Sequence, residues 1–249
     1  MARKPAGHTD HHAVPGPAFV LVEHGVAVVR LALQHAGLAG AARPFGAGGQ
    51  DAHAVRDRLV MDADVTATAP RVTASARLAV DHLAGLGHRS IVHIDGGRLP
   101  AAPRRRRGYR QAMQRHQLHD EIRILPGDYT EESGAAAARR ILTGEQLPTA
   151  IFAANDRCAH GVLDTLTRAR VDVPGDVSIV GYDDSDVARL SFINLTTVRQ
   201  DATQMAEHAV QAIAERLEAG RIEAREIVLD PTLVVRGTTG LPCPDRAIR

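Results

Sequence analysis

The sequence predicts an α/β fold built on a parallel sheet, and three apolar runs are the reason. Ser90–Asp95, Thr149–Asp156 and Val177–Asp184 are short, rich in strand-forming residues, and end at carboxylates. A stretch with helical character follows the second and third directly and the first after a short loop. In open α/β sheets ligands bind just beyond the carboxyl ends of parallel strands. Asp95, Asn155, Asp156, Asp183 and Asp184 are therefore expected along one rim.

The elements follow in order from Thr73. Thr73 to Leu86 places Leu78, Val80, Leu83 and Leu86 at helical spacing, with Gly87 suited to a left-handed stop. Strand Ser90 to Asp95, helix Arg105 to His116, strand Ile122 to Leu125 and the Ala-rich helix Glu131 to Leu142 come next. Strand Thr149 to Ala154, helix Arg157 to Arg170 and strand Val177 to Tyr182 continue the alternation. Repeats of about 30 residues of this kind form right-handed parallel crossovers. Thr196 to Val198 reads as a further strand, and Thr203 to Ala219 as a helix with Met205, Ala209, Ile213 and Leu217 on one face. Glu226 to Leu229 and Thr232 to Val235 read as closing strands around Pro231, which suits an edge or a bend. Residues 1–70 offer only Val20 to Leu33 as a sustained apolar pattern and form an unassigned, weakly ordered or atypical region. Residues 71–239 form the main domain, and 240–249 a tail.

Composition narrows the function classes. A net charge of +1 gives no overall electrostatic reason to bind nucleic acid, and the one basic run is Arg104 to Arg107. Cys158 and Cys243 make neither a disulfide framework nor a metal-ligand spacing, which suits a reducing cytoplasm. Ala18 to Leu33 is interrupted by Glu23, His24 and Arg30 and falls short of the roughly 20 apolar residues that span a bilayer. No export signal is expected, so the chain reads as soluble and unexported. The absence of a Gly-x-Ser-x-Gly elbow, a Walker loop or a dinucleotide fingerprint argues against catalysis, and no metal or cofactor is expected. His8, His11 and His12 lack partner ligands, and His88 is expected to bond a helix end or pack locally.

Five strings in order resemble the lactose-repressor family of transcription regulators. They are Ala76–Arg89 leading into Ile91–Ile94, Arg105–Arg110, Ala153–Asp156, Val180–Asp184 and Leu195–Gln200. The resemblance spans roughly Thr73 to Gly237 and implies the fold of periplasmic sugar-binding proteins, two Rossmann-like lobes with a ligand cleft between them. On that pattern the C-terminal lobe is complete, built from Thr73 to Asn194 and Glu226 to Arg236. The N-terminal lobe is mostly missing, keeping only a piece near Leu195 to Gly220. The family's helix-turn-helix, hinge and first strands have no counterpart in residues 1–70, so the DNA-binding head is not visible in this chain.

The resemblance also assigns ligand-binding residues. Arg105, three residues before Gly108, matches the family's ligand arginine, and a forked guanidinium suits paired hydroxyls or a carboxylate. Its neighbours Arg104, Arg106 and Arg107 read as a solvated patch. Asp183 matches the carboxylate that accepts from effector hydroxyls; the competing role is a helix N-cap, which Asp184 or Ser185 can fill, and capping is assigned to Asp184. Asn155 and Asp156 pose the same choice, one capping the next helix while Asn155 reaches ligand. Tyr129 stands where the family has an effector-stacking aromatic, with packing inside the lobe as the alternative. Gln200 at the crossover is the fifth candidate.

The resemblance implies a cytoplasmic, non-enzymatic regulator whose effector domain binds a sugar or related small metabolite and controls operator binding allosterically as a homodimer. The alternatives are a stand-alone solute-binding protein and a cytosolic sugar-active α/β enzyme with Asp183 as base.

Overall fold

The computed structural model describes residues 19–23, 26–30, 67–70, 72–99, 101–201, 203, 204, 206–208, 211 and 226–243. Its centre is a six-stranded sheet. The strands are β4 (Ile91–Ile94), β5 (Arg123–Leu125), β6 (Ala150–Phe152), β7 (Ser178–Asp183), β8 (Thr196–Arg199) and β10 (Thr232–Val234), in the order β10-β8-β7-β6-β4-β5. All neighbours are parallel except β10, which runs antiparallel to β8 at the edge. Away from this sheet, β1 (Phe19–Glu23) and β2 (Val26–Arg30) form an antiparallel pair, and β3 (Ala67–Pro70) pairs in parallel with β9 (Glu226–Leu229).

Helices cover both faces because the side chains of each central strand alternate. Ile91, Ala150, Phe152, Val180 and Tyr182 pack with Ala76, Val80 and Leu83 of α1 (Val72–Gly85) and Tyr109, Ala112 and Met113 of α2 (Ala102–Arg115). Val92, Ile94, Ile151 and Ile179 pack instead with Ala137, Ala138 and Ile141 of α3 (Glu131–Leu142) and Cys158, Val162 and Leu166 of α4 (Asp156–Arg168). Strands buried on both faces read as unbroken apolar runs, which is why they are visible in the sequence. The short α5 (Asp186–Arg189) follows β7.

Local chemistry sets the helix ends. Gly87, at φ +100°, closes α1 while the His88 amide reaches back to the Leu83 carbonyl at 3.1 Å. Thr130 caps α3 by accepting from the Ser133 amide at 3.1 Å, with Glu131 and Glu132 in the first turn and Arg139 and Arg140 in the last, as the helix dipole favours. His88 is buried and its Nε2 meets the Gly240 carbonyl at 3.0 Å, so it ties down the C-terminal segment instead of the end of α1.

Two expectations change. Leu195 to Gly220 is expected in the other lobe, yet its first strand, β8, is a full member of the main sheet: Thr197 backs onto the buried Asp156, and Val198 joins the core under α1 and α2. Glu226–Leu229 does not close this sheet and pairs with Ala67–Pro70. Residues 203, 204, 206–208 and 211 are helical as expected, while Met205, Ala209, Ile213 and Leu217 lie outside the described residues. So does most of 1–66.

α3 and α4 approach closely through glycine. A Cβ on Gly161 would overlap the backbone carbonyl of Glu131, and one on Gly134 the carbonyl of Cys158. Gly161→Ala gains about 1 kcal/mol of helix propensity, but a backbone carbonyl cannot rotate away and overpacking costs about 1–3 kcal/mol or more. A net loss of up to about 2 kcal/mol is expected in urea unfolding. Gly85→Ala, at the end of α1 with nothing within 4 Å of its Cβ, should be neutral or stabilising in the same assay.

Candidate functional site

The chain reverses its strand order around β4: β5 is added on one side and β6 on the other. A reversal of this kind opens a crevice at the carboxyl ends of the two central strands. Asp95 and Gly96 follow β4, and Ala153, Ala154 and Asn155 follow β6. Asp183, at the end of β7, and Gln200, after β8, extend the same rim.

Arg105 lies at this crevice. It projects from the first turns of α2, is 2% exposed, and donates through Nη1 to the carbonyl of Ala154. Its guanidinium lies 3.5 Å from the centroid of the Tyr182 ring and 5.3 Å from that of Tyr129. Tyr182 is held in turn by Ser75, hydroxyl to hydroxyl at 2.6 Å. Tyr182 shares the face of the sheet under α1 and α2, so strand alternation from Val180 identifies it as a neighbour of Arg105. It lies inside the Val180–Asp184 string, which gives it no role of its own.

Tyr129 is 5% exposed and takes φ +70°. Its ring presses on Gly96, where a Cβ would collide with it, and packs with Ala102 and Ala154. In this conformation it is a packed side of the crevice. Asn155 caps α4, its Oδ1 accepting from the Cys158 amide at 2.9 Å. Gln200 donates from Nε2 to Asp183 Oδ1 at 2.8 Å. Two buried polar atoms of the site, Arg105 Nε and Gln200 Oε1, have no hydrogen-bond partner.

Asp183 and Asp184 are consecutive non-glycine residues with positive φ, 112° and 55°. Such conformations cost about 1–3 kcal/mol each and persist only where surroundings enforce them. Burial pushes the half-buried Asp183 up to about 6, against the pull of Arg105 and Gln200. Asp184, assigned to capping, instead has a fully buried side chain between Arg189, Arg199 and Arg236. Burial alone would raise its pKa, but the hydrogen bonds from Arg236, Arg199 and Arg189 hold it below the ordinary value.

Asp156 had no distinct role in the sequence beyond the choice of cap. It is 1% exposed beneath the turn after β7, accepting from the Ser185 amide at 2.7 Å, Ser185 Oγ at 2.9 Å and Thr197 Oγ1 at 2.5 Å. Gly181 leaves room for it, since a Cβ there would meet its carboxylate. Burial pushes Asp156 up to about 7 in spite of these donors, with Asp183 adding to the rise. Arg106 is not merely solvated: it lies 3.3 Å from Asp95 and bonds the Gly97 carbonyl at 3.2 Å, whereas Arg104 and Arg107 are exposed. His93 beneath Asp95 is fully buried, stacks on Phe152 at 4.8 Å, and is driven by burial to about 3, hence neutral. Among the described residues no group of three or more His, Cys, Asp or Glu is placed to hold a metal, and no helix is long and apolar enough to cross a membrane.

Residues 80–239 match the family described as periplasmic binding protein-like domain. A relative from Haemophilus influenzae (strain PittEE), the HTH-type transcriptional repressor PurR, is 35% identical over 164 residues, 64% of this chain and 49% of its own. The chain thus spans about half the length of the curated relatives it matches. Among solved structures, a LacI transcriptional regulator from a Rhodococcus species is 46% identical with a TM-score of 0.67, covering 70% of this chain and 64% of that one. A LacI family regulator from Enterococcus faecium with bound ribose is 26% identical with a TM-score of 0.65, covering 71% and 66%.

The raised carboxylates dictate a pH dependence. Asp156 near 7 stands above its unfolded value of about 3.9, so its contribution is fully present below that value and is lost as pH rises through about 7. His93 opposes it, because a depressed histidine loses stability as pH falls below its unfolded value of about 6.5. Asp156→Asn isolates the carboxylate, since His93 cancels in the difference. The stability of wild type relative to the variant should increase as pH falls from about 8 to 5. A constant difference would mean that the three donors keep Asp156 ionised across the range.

Proposed function

Because the chain belongs to the periplasmic-binding-protein-like family and, within it, to the lactose-repressor-type regulators, we propose that its main domain senses an uncharged sugar at the rim around Arg105 and Asp183. What carries the reading is the pair of buried, unpartnered atoms there, the donor Arg105 Nε and the acceptor Gln200 Oε1. Leaving such groups unpaired costs about 1–3 kcal/mol each, and a hydroxyl, which both donates and accepts, removes that cost for either.

The charges favour a neutral ligand. Asp95 and Asp183 stand against Arg106 and Arg105 along the rim, so an anionic sugar phosphate would meet carboxylates with little surplus positive charge. Tyr129, packed beside Arg105, is the aromatic that a shift of its buried ring would bring against the apolar face of a pyranose or furanose. Ribose is bound by the Enterococcus faecium relative. The whole protein works as a cytoplasmic homodimer, without a catalytic step of its own, whose hold on operator DNA changes when the sugar binds.

Calorimetric titration of the full chain with D-ribose, D-galactose, D-glucose, cellobiose and ribose 5-phosphate tests this. Binding of at least one neutral sugar and not of the phosphate is expected. Arg105→Ala and Asp183→Ala should each weaken it by about 2 kcal/mol, roughly 30-fold. Turnover of the bound sugar would favour an enzyme, and affinities unchanged by both substitutions would place the site elsewhere.

A further inference from the structure

Behind the rim, the turn after β7 is held by a cluster that the ligand-facing residues do not include. Asp184 accepts from Arg199 Nε at 2.7 Å, Arg189 Nη2 at 3.2 Å and Arg236 Nη2 at 2.5 Å. The three arginines come from α5, the end of β8 and the segment after β10. Two of them also bond backbone: Arg189 reaches the Asp184 carbonyl at 2.9 Å and Arg236 the Leu195 carbonyl at 2.8 Å. One carboxylate thereby gathers three segments at one point.

The cluster is in register with the site. Asp183 bonds Gln200 while the next residue, Asp184, bonds Arg199, so adjacent pairs of residues form two parallel clasps between the ends of β7 and β8. Both aspartates have positive φ, which costs any residue with a Cβ although Asp bears it better than most. Two consecutive such residues need support from outside the turn, and beside the Ser185 bonds to Asp156 that support is the set of charge-assisted bonds at Asp184.

We infer that Asp184 is a positioning residue for effector binding: its clasp with Arg189, Arg199 and Arg236 holds the left-handed turn that aims the Asp183 carboxyl and Gln200 at the rim. The inference rests on the reading of that rim as a sugar site. Asp184 touches no ligand itself. Its contribution passes through Asp183, and this separates it from a residue that merely braces the fold.

The test uses the full chain with Asp184→Asn, Asp183→Asn and the double substitution, D-ribose, D-galactose and cellobiose as probes, and amide hydrogen exchange without sugar. Asp184→Asn should weaken the sugar that binds wild type by about tenfold or more, but by less than about twofold when Asp183 is already Asn, because the two act as a unit. Exchange at residues 183–185 and 199–200 should accelerate by about tenfold or more while β4 and β6 keep their protection. Equal losses of affinity in both backgrounds, or unchanged exchange at the turn, would overturn the inference. If none of the probes binds wild type and exchange accelerates as stated, the sugar-site reading fails and the clasp stands as what holds the turn. If Asp184→Asn does not fold, Arg199→Gln, which releases one of the three grips, is held to the same outcomes.

Discussion

Charges withdrawn from water constrain this molecule more than any other feature. Arg105, Asp156 and Asp184 are buried, and Asp183 is half-buried, within a short distance of the strand ends. An ionised group survives burial only if hydrogen bonds and opposite charge replace its hydration. Three of them recruit different parts of the chain for this, fully enough at Asp184 and only partly at Asp156, which burial still raises. Arg105 takes the carbonyl of Ala154 and the ring of Tyr182, Asp156 takes Ser185 and Thr197, and Asp184 takes three arginines. The rim is thereby cross-linked to α2, β6, β8 and the segment after β10.

The same bonds leave polar groups along the rim unmatched, the feature on which the proposed sugar site rests. Asp183 is turned against its backbone preference and engaged by Gln200 on one oxygen, while Gln200 Oε1 and Arg105 Nε remain unpaired. Strain and unpaired polar atoms are costs that a folded chain tolerates where function uses them. They lie along the rim that runs from the switch point of the sheet to the ends of β7 and β8.

Much of this was legible from residues alone. The doubly covered strands announced themselves as apolar runs, and Gly87 marked the end of its helix as only a residue content with φ +100° can. Arg105, Tyr129, Asn155, Asp183 and Gln200 came from resemblance; the structure places Arg105 against Tyr129 and beside the strand end that leads to Asn155, and ties Gln200 to Asp183. Illegible were the partners supplied from far along the chain: Thr197 for Asp156, Arg236 for Asp184, Gly240 for His88. Asp184 reads like a helix cap because local sequence cannot reveal that three arginines converge on it.

The sequence by itself determined the alternation of strand and helix, the parallel sense of most of the sheet, and the gathering of carboxylates at strand ends. Those follow from side-chain periodicity and short connections, which are local. Only the tertiary structure decided the edge position of β10, the place of β8 beside β7, and which buried charge answers which. Pairing across dozens of residues depends on where the crossovers bring the strands, and periodicity along the chain holds no record of that.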